Sequence, residues 1–432
     1  MNGSHSARFG GIVPCFRLSA GGFIIDSIFD EIISEVRPRL PLAEAVVWAD
    51  GLRPQSAVAA GEQGIAARRE CRERDCRERE NGVDQPMTPS DRDDVQAVAR
   101  LHDAYQRMKA ELSRVIVGQA AVIDELLIAL FARGHCLLEG VPGLAKTLMV
   151  RTLAGALTLD FRRIQFTPDL MPADVTGTEV IQEDRETGQR EFRFLRGPLF
   201  GNVILADEIN RAPPKTQAAL LEAMQEYQVT AGGRRHALSQ PFFVLATQNP
   251  IEQEGTYPLP EAQLDRFMLY TCIDYPDEDE ELEVVRRTTV EDQAAVSPLL
   301  DGAAILQMQR LVRRVPAAEH VLRFALRVVR LSRPGHPRAP AIVREFVTWG
   351  AGPRAAQSLV LGAKARAALQ GRLHPTVDDV RAVALPVLRH RIIVNFNAEA
   401  EGVRPERIVG ELLELASSAE GKAADDPVLR RP

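Results

Sequence analysis

The stretch Glu139-Gly-Val-Pro-Gly-Leu-Ala-Lys-Thr147 decides how this chain folds. The short apolar run His135-Cys-Leu-Leu138 precedes it and predicts a buried strand, while residues 148–154 follow it with helical spacing. A glycine-rich turn between a strand and a helix presents backbone N–H groups, and the positive end of the helix dipole, to an anion. The sequence therefore predicts a phosphate-binding loop at this turn.

Each position of the loop has an expected task. Lys146 is placed to reach the β- and γ-phosphates of ATP, and the Thr147 hydroxyl to bind Mg²⁺. The general pattern has glycine where this chain has Ala145, and alanine fits if its φ angle is negative. The expected nucleotide-binding residues of the loop are Gly140, Val141, Pro142, Gly143, Leu144, Ala145, Lys146 and Thr147.

Two acids end a second apolar run, Asn202-Val-Ile-Leu-Ala-Asp207-Glu208. Such a run is typical of a central strand in a parallel sheet, and ligands bind at the carboxyl ends of those strands. We expect Asp207 to hold the Mg²⁺ shell and Glu208 to polarise the attacking water. Two adjacent acids could also form a solvated turn, but the phosphate loop about sixty residues earlier argues against that alternative.

Two more polar groups follow apolar runs. Asn249 comes after the run 242–247, where its amide can orient the hydrolytic water or the γ-phosphate. Arg266 stands before the run 267–273, and an arginine supplied across a subunit boundary can stabilise charge during phosphoryl transfer. From the residues alone, a plain turn at Asn249 and a surface salt bridge at Arg266 stay open as alternatives.

Together these motifs resemble the MoxR family of AAA+ ATPases, over about residues 105–410 of the chain. Long ungapped motifs in the same order make the resemblance specific. The segments that carry it are Gly140-Val-Pro-Gly-Leu-Ala-Lys-Thr147, Leu205-Ala-Asp-Glu-Ile-Asn-Arg-Ala-Pro-Pro-Lys-Thr-Gln217, Leu221-Glu-Ala-Met-Gln-Glu226, Ala246-Thr-Gln-Asn-Pro250 and Glu252-Gln-Glu-Gly-Thr-Tyr-Pro-Leu-Pro-Glu-Ala-Gln-Leu-Asp-Arg-Phe267.

The resemblance implies a role for each site residue. Lys146 and Thr147 would belong to Walker A and Asp207 and Glu208 to Walker B, while Asn249 would be sensor 1 and Arg266 an arginine finger. A sensor 2 arginine is also implied, and Arg354 in Gly352-Pro-Arg354-Ala-Ala-Gln357 fits it; at a helix start, it would face nucleotide held between core and lid. Gly118 and Gln119 would lie near the adenine, although a simple helix N-terminus explains them equally well.

The expected fold class is α/β, an AAA+ P-loop core with a five-stranded parallel sheet, followed by a small all-α lid. Two alternating runs around residues 183–189 predict a β-hairpin, which the resemblance makes the insert in helix 2. The expected segments are a disordered or spurious extension over 1–86, a core over 87–275, a linker over 276–300, a lid over 301–415 and a disordered tail over 416–432.

Function follows mainly from the resemblance. It implies an ATPase with ATP and Mg²⁺, assembled as a homohexamer, that remodels or activates a client protein, often one with a von Willebrand factor A domain. A metal-chelatase-like motor and a DNA- or transcription-directed motor are the alternatives. The net charge of −6 makes nucleic acid an unlikely partner, and without a membrane-spanning run or a good signal peptide the expected location is the cytoplasm.

Overall fold

The structure, a computed structural model, describes residues 89–183, 190–252, 255–289 and 296–418. The predicted extension over residues 1–86 lies outside these ranges, as do residues 419–432 of the predicted tail. Residues 416–418, predicted as the start of that tail, instead belong to a helix that ends at Ser418.

Thirteen short strands occur in the described part of the chain. In chain order they are β1 Cys136–Glu139, β2 Leu157–Thr158, β3 Phe161–Gln165, β4 Gly177–Glu183, β5 Arg190–Arg196, β6 Val203–Asp207, β7 Gln228–Ala231, β8 Arg234–Ala237, β9 Phe243–Gln248, β10 Leu269–Cys272, β11 Leu300–Asp301, β12 Val347–Trp349 and β13 Ile393–Val394.

Helices occupy much of the same ranges. They are α1 Pro89–Val115, α2 Ala120–Ala132, α3 Lys146–Gly155, α4 Pro172–Thr176, α5 Pro214–Glu226, α6 Glu261–Leu264, α7 Glu278–Thr288, α8 Gly302–Arg314, α9 Glu319–Leu331, α10 Ala341–Phe346, α11 Pro353–Leu369, α12 Val377–Leu388, α13 Phe396–Glu401 and α14 Pro405–Ser418. None of them is both long and apolar enough to cross a membrane.

Five strands form the predicted parallel sheet, in the order β10-β1-β9-β6-β3. Every residue of β6 is buried, as expected for a strand covered on both faces. β3 lies at one edge of the sheet. The strands end on polar residues along one edge, where Glu139 pairs with Gln248 and Gln165 with Asp207.

Two antiparallel hairpins extend from the core. The predicted one is formed by β4 and β5, with Gly177 opposite Arg196 and Glu183 opposite Arg190; its tip, residues 184–189, lies outside the described ranges. The second, formed by β7 and β8, was not predicted, although Gly232-Gly233 between its strands is a common two-residue hairpin turn. The first hairpin directly follows the short helix α4, as expected for an insert in a helix.

The lid is built from α8 to α14, and it also contains the antiparallel pair β12–β13, which the helical pattern did not predict. Inside the predicted linker, α7 is a regular helix capped by Asp277. α11 packs against both α1 and α2, so that one hydrophobic cluster runs from Val98 through one face of the sheet to Ala416 in the lid. Core and lid therefore share a continuous apolar interior.

A buried arginine fastens the lid to the chain that enters β10. Arg391 binds the Asp265 carboxylate at 2.7 Å and donates to the Phe267 and Met268 carbonyls at 2.7 and 3.2 Å. Beside it, His390 is within 3.2 Å of the Phe267 carbonyl, and burial holds its pKa well below the usual range. These contacts give His390 a structural role between the lid and β10.

Candidate nucleotide-binding site

The predicted phosphate loop joins β1 to the N-terminus of α3. Gly140 has no room for a side chain, since a Cβ there would lie 2.9 Å from the Ile273 carbonyl oxygen. Lys146 donates to the Gly140 carbonyl and, at 3.4 Å, to that of Gln248. Burial lowers the pKa of Lys146, and the carboxylates of the neighbouring acids oppose that shift. The loop thus presents its ammonium group at the carboxyl edge of the sheet.

Ala145 differs from its expected conformation. Its φ of 54° and ψ of 24° lie in the left-handed region, although the sequence suggested a negative φ. This conformation brings the alanine Cβ close to the following carbonyl oxygen. The strain costs about 1–2 kcal/mol, which glycine avoids.

We expect Ala145→Gly to raise the free energy of unfolding by about 1 kcal/mol, because relief of the strain exceeds the roughly 0.5–1 kcal/mol entropic penalty of glycine. ATP binding should persist. Chemical denaturation of the purified variants measures the change. Ala110→Gly, at an exposed position inside α1, is the matched control and should lose about 1 kcal/mol. Equal losses in both variants would contradict the assigned strain.

Asp207 is the centre of the acidic end of β6. One of its oxygens accepts from the Thr247 hydroxyl at 2.6 Å, and the other lies 3.3 Å from the Thr147 hydroxyl. A hydroxyl and a carboxylate that converge at a phosphate loop form the oxygen set that Mg²⁺ prefers beside nucleotide phosphates. The residues predicted to hold the metal therefore fit it.

Glu208 follows in a left-handed conformation, with a φ of 55°. Its backbone N–H donates to the Thr247 hydroxyl at 2.9 Å. Its carboxylate accepts from the Gln165 amide at 2.9 Å and from Arg211 at 3.2 Å. Strained backbone beside a cleft is typical of functional positions.

Sequence reasoning missed two side chains of this site, both on the edge strand β3. Arg163 binds Asp207 at 2.7 Å and donates to Gln165 at 2.8 Å, and Gln165 in turn binds Glu208. A signal was present, because residues two apart on a strand share a face. Phe161-Arg-Arg-Ile-Gln165 thus places an arginine and an amide on one face, next to the strand that carries the acids.

Asn249 completes the cleft. Its amide oxygen accepts from the Ile251 N–H at 3.2 Å, and its NH₂ group lies 3.4 Å from Glu252. The cleft measures about 450 Å³ and is polar over much of its surface. Its lining residues are Pro142, Gly143, Ala145, Lys146, Thr147, Arg163, Gln165, Asp207, Glu208, Thr247 and Asn249.

Arg266 and Arg354 are not part of this cleft. Both line a separate cavity, and Arg354 donates to the Asp265 carboxylate at 3.2 Å. This cavity lies at the amino edge of the sheet, since Arg266 precedes β10; β1, with four residues, separates the two edges by about 13 Å. The structure therefore does not bring Arg354 into the cleft of its own chain, and contact between Arg354 and nucleotide stays a prediction.

Gly118 and Gln119 also lie outside the lining of the cleft. The Gln119 side chain donates to the Asp274 carbonyl at 2.9 Å, and a Cβ on Gly118 would come within 2.5 Å of the Glu280 carboxyl group. Both residues have positive φ, and they precede α2. They brace the start of α7 against α2, and their contact with adenine stays a prediction.

A glycine-rich loop, a strand that ends in two acids and a polar amide at one edge of a parallel sheet define a P-loop ATPase of the AAA+ class. The profile of the ATPase family associated with various cellular activities (AAA) matches residues 135–269, and that of the AAA lid domain matches residues 339–412.

The relatives narrow the class. Chaperone MoxR1 of Mycobacterium tuberculosis is 41% identical over 74% of this chain and 83% of the relative, and the uncharacterized protein YeaC of Bacillus subtilis is 41% identical over 72% and 94%. Protein MoxR of Paracoccus denitrificans is 32% identical over 73% and 95%. A putative ATPase from Cytophaga hutchinsonii has 42% identity and a TM-score of 0.69, over 74% of this chain and 96% of that structure.

The chain belongs to the MoxR family of AAA+ ATPases, and it is an ATP-hydrolysing enzyme. The fold predicted from its sequence is confirmed by these relatives and by the sheet order.

Proposed function

We propose that this ATPase is a chaperone-like remodelling protein, which uses ATP hydrolysis to mature or activate a client protein. The observation that carries the proposal is the 41% identity, over most of the chain, to a relative named as a chaperone. Clients with a von Willebrand factor A domain are the partners that the family resemblance suggests. The chemistry of the cleft supplies the energy for such work.

A few groups in the cleft would carry out the steps of ATP hydrolysis. Lys146 and the N–H groups of the loop hold the phosphates of ATP, and Asn249 orients the γ-phosphate or the attacking water. Glu208 accepts a hydrogen bond from that water and takes its proton. Mg²⁺, when held by Thr147 and Asp207, would neutralise charge on the β- and γ-phosphates. Arg163 already binds the Asp207 carboxylate, so Mg²⁺ would have to share that carboxylate with it or displace it.

Arg266 and Arg354 complete the site from another copy of the chain. Their position at the amino edge of the sheet, about 13 Å from the carboxyl edge, keeps them from the ATP of their own subunit. A ring places this edge of one subunit against the cleft of the next, and the resemblance suggests six copies. Hydrolysis would then depend on assembly.

The hairpin β4–β5 offers a surface for the client. Ile181 and Phe192 are directly paired across the two strands, and their side chains are 61% and 74% exposed. Leu195 on the same hairpin is also exposed. Apolar side chains exposed side by side are a common mark of a protein-binding surface.

Client capture tests the proposal. We expect Glu208→Gln, loaded with ATP and Mg²⁺, to retain a client from lysate of the source cells, because the variant binds ATP without completing turnover. Native mass spectrometry gives the number of copies in the ring and identifies the client. Lys146→Ala, which cannot hold ATP, is the control and should retain much less.

The captured client is then purified and digested briefly with protease, with and without ATP. A digestion pattern that changes only with the parent enzyme and ATP supports remodelling. Equal recovery by both variants, or a pattern that ATP does not alter, would argue against a chaperone-like activity. Recovery of DNA or of transcription factors would favour the DNA-directed alternative.

A further inference from the structure

The cavity that holds Arg266 and Arg354 contains a third arginine. It measures about 170 Å³, and Arg133 lies on its wall next to Gly134. The Asp265 carboxylate accepts a hydrogen bond from Arg354 at 3.2 Å and so balances its charge, but it also accepts one from Arg391 at 2.7 Å. Among the residues that the structure describes, neither Arg133 nor Arg266 forms an ion pair. The cavity therefore carries an excess of positive charge, and partly buried charge of this kind calls for an anion.

Arg133 is held at the cavity by an aromatic ring rather than by an acid. Its guanidinium carbon lies 4.6 Å from the centre of the Tyr227 ring, and one nitrogen donates to the Gln240 side chain at 3.3 Å. Its Nε is buried without an acceptor. Its φ of 60° is left-handed, which a non-glycine residue rarely adopts. The guanidinium is thus positioned while its hydrogen-bonding capacity remains largely unused.

The neighbouring histidine adds no charge to the cavity. His135 accepts from the Val244 N–H at 3.0 Å through Nδ1, so that Nε2 carries the hydrogen and donates to the Met224 carbonyl at 3.2 Å. Burial, together with the nearby Arg133, lowers the pKa of His135 to about 4. The positive charge of the cavity therefore belongs to its arginines.

We propose that Arg133 contacts the terminal phosphates of ATP held by a second copy of this chain, together with Arg266 and Arg354. The inference rests on the assembly proposed above and adds a residue to the site. Guanidinium groups bind phosphate oxygens through paired, charge-assisted hydrogen bonds, and a cavity of this size admits a phosphate group but no bulky ligand. Three such groups would surround the phosphoryl group as its charge develops.

The test begins with Arg133→Gln. We expect its turnover to fall roughly 10- to 100-fold, the effect of losing a charge-assisted hydrogen bond. Binding of a fluorescent ATP analogue should stay within about twofold, because each subunit's own phosphate loop is unaltered. Arg133→Lys, which retains the charge, should keep more activity than Arg133→Gln. Arg310→Gln, on an exposed position of α8, is the matched control and should match the parent.

Mixing two variants in one assembly tests whether Arg133 acts on the ATP of the neighbouring subunit. Lys146→Ala subunits cannot bind ATP but carry intact arginines. Mixed with Arg133→Gln subunits, they should restore turnover well above that of either variant alone. Lys146→Ala subunits that also carry Arg133→Gln should not restore it. Arg266→Ala mixed with Lys146→Ala is run in parallel, as the reference for an arginine that acts between subunits.

The outcomes separate the two proposals. Rescue of Arg266→Ala without rescue of Arg133→Gln would overturn the inference on Arg133 and leave the assembly intact. Full turnover in both Arg133 variants would also overturn the inference. So would a loss of turnover in both variants that only accompanies a loss of thermal stability. Absence of rescue for Arg266→Ala would contradict the proposed assembly, and the proposed role of Arg133 would fail with it.

Discussion

Glu208→Gln should lower the turnover of ATP about 10²–10⁴-fold while ATP binding is retained. Glutamine keeps the size of the side chain, and its amide oxygen can still accept from Gln165 and Arg211, so the backbone should hold its strained conformation. It cannot take a proton from the attacking water. The phosphate loop is untouched, which is why binding should persist.

Steady-state release of phosphate and equilibrium binding of a fluorescent ATP analogue measure the two quantities separately. Glu222→Gln, on the exposed side of α5, removes the same charge outside the cleft and should leave both unchanged. Turnover of Glu208→Gln at the parent rate would mean that another group activates the water. Loss of binding would mean that Glu208 instead holds the loop together.

The second large effect is expected in the lid, where Asp379→Ala should lower the free energy of unfolding by about 3 kcal/mol. Asp379 is fully buried and accepts from Arg366, Arg372 and the Thr376 N–H. Removing one partner of a buried pair typically costs about 3–5 kcal/mol. The lower end applies because the two arginines remain 30% and 35% exposed and can turn to water.

Asp378→Ala is the control, since that side chain is 79% exposed and pairs with Arg381 at the surface. Its free energy of unfolding should fall by no more than about 0.5 kcal/mol. Urea denaturation of both variants measures the difference, and losses of similar size would refute the buried network.

The same network predicts a pH dependence. Burial alone would raise the pKa of Asp379, but hydrogen bonds from Arg372, Thr376 and Arg366 hold it below its usual range. A carboxyl with a lowered pKa in the folded state contributes stability above its unfolded pKa of about 3.9, and this is lost as the pH falls through the folded value. The parent should therefore lose more stability below about pH 4 than Asp379→Ala does.

Sequence reasoning predicted those features that one stretch of chain determines. The strands β1, β6 and β9 are buried runs that end in polar groups, and the cleft brings Lys146 and Asp207 together as expected. Thr376 likewise begins α12 through a capping box with Asp379, three residues further along the chain. In these cases neighbours along the chain decide the outcome.

Features that depend on how elements pack were missed. The left-handed Ala145 follows from the path of the loop, and the partner of Arg163 follows from the pairing of β3 with β6. The placement of Arg354 outside the cleft follows from how the lid packs against the sheet, which order along the chain does not reveal. The exposure of Phe192 on its hairpin likewise depends on which elements pack against that hairpin.

The hydrogen bonds from Arg391 to the carbonyls before β10 restrict how the lid can move against the core. A lid that rotated against its own core would have to break these hydrogen bonds and open an apolar interior that spans both parts. Each subunit is therefore expected to move as one rigid body. If the proposed ring forms, movement driven by ATP would then occur at the interfaces between subunits, and the rigidity of one subunit would set how completely that movement passes to the next.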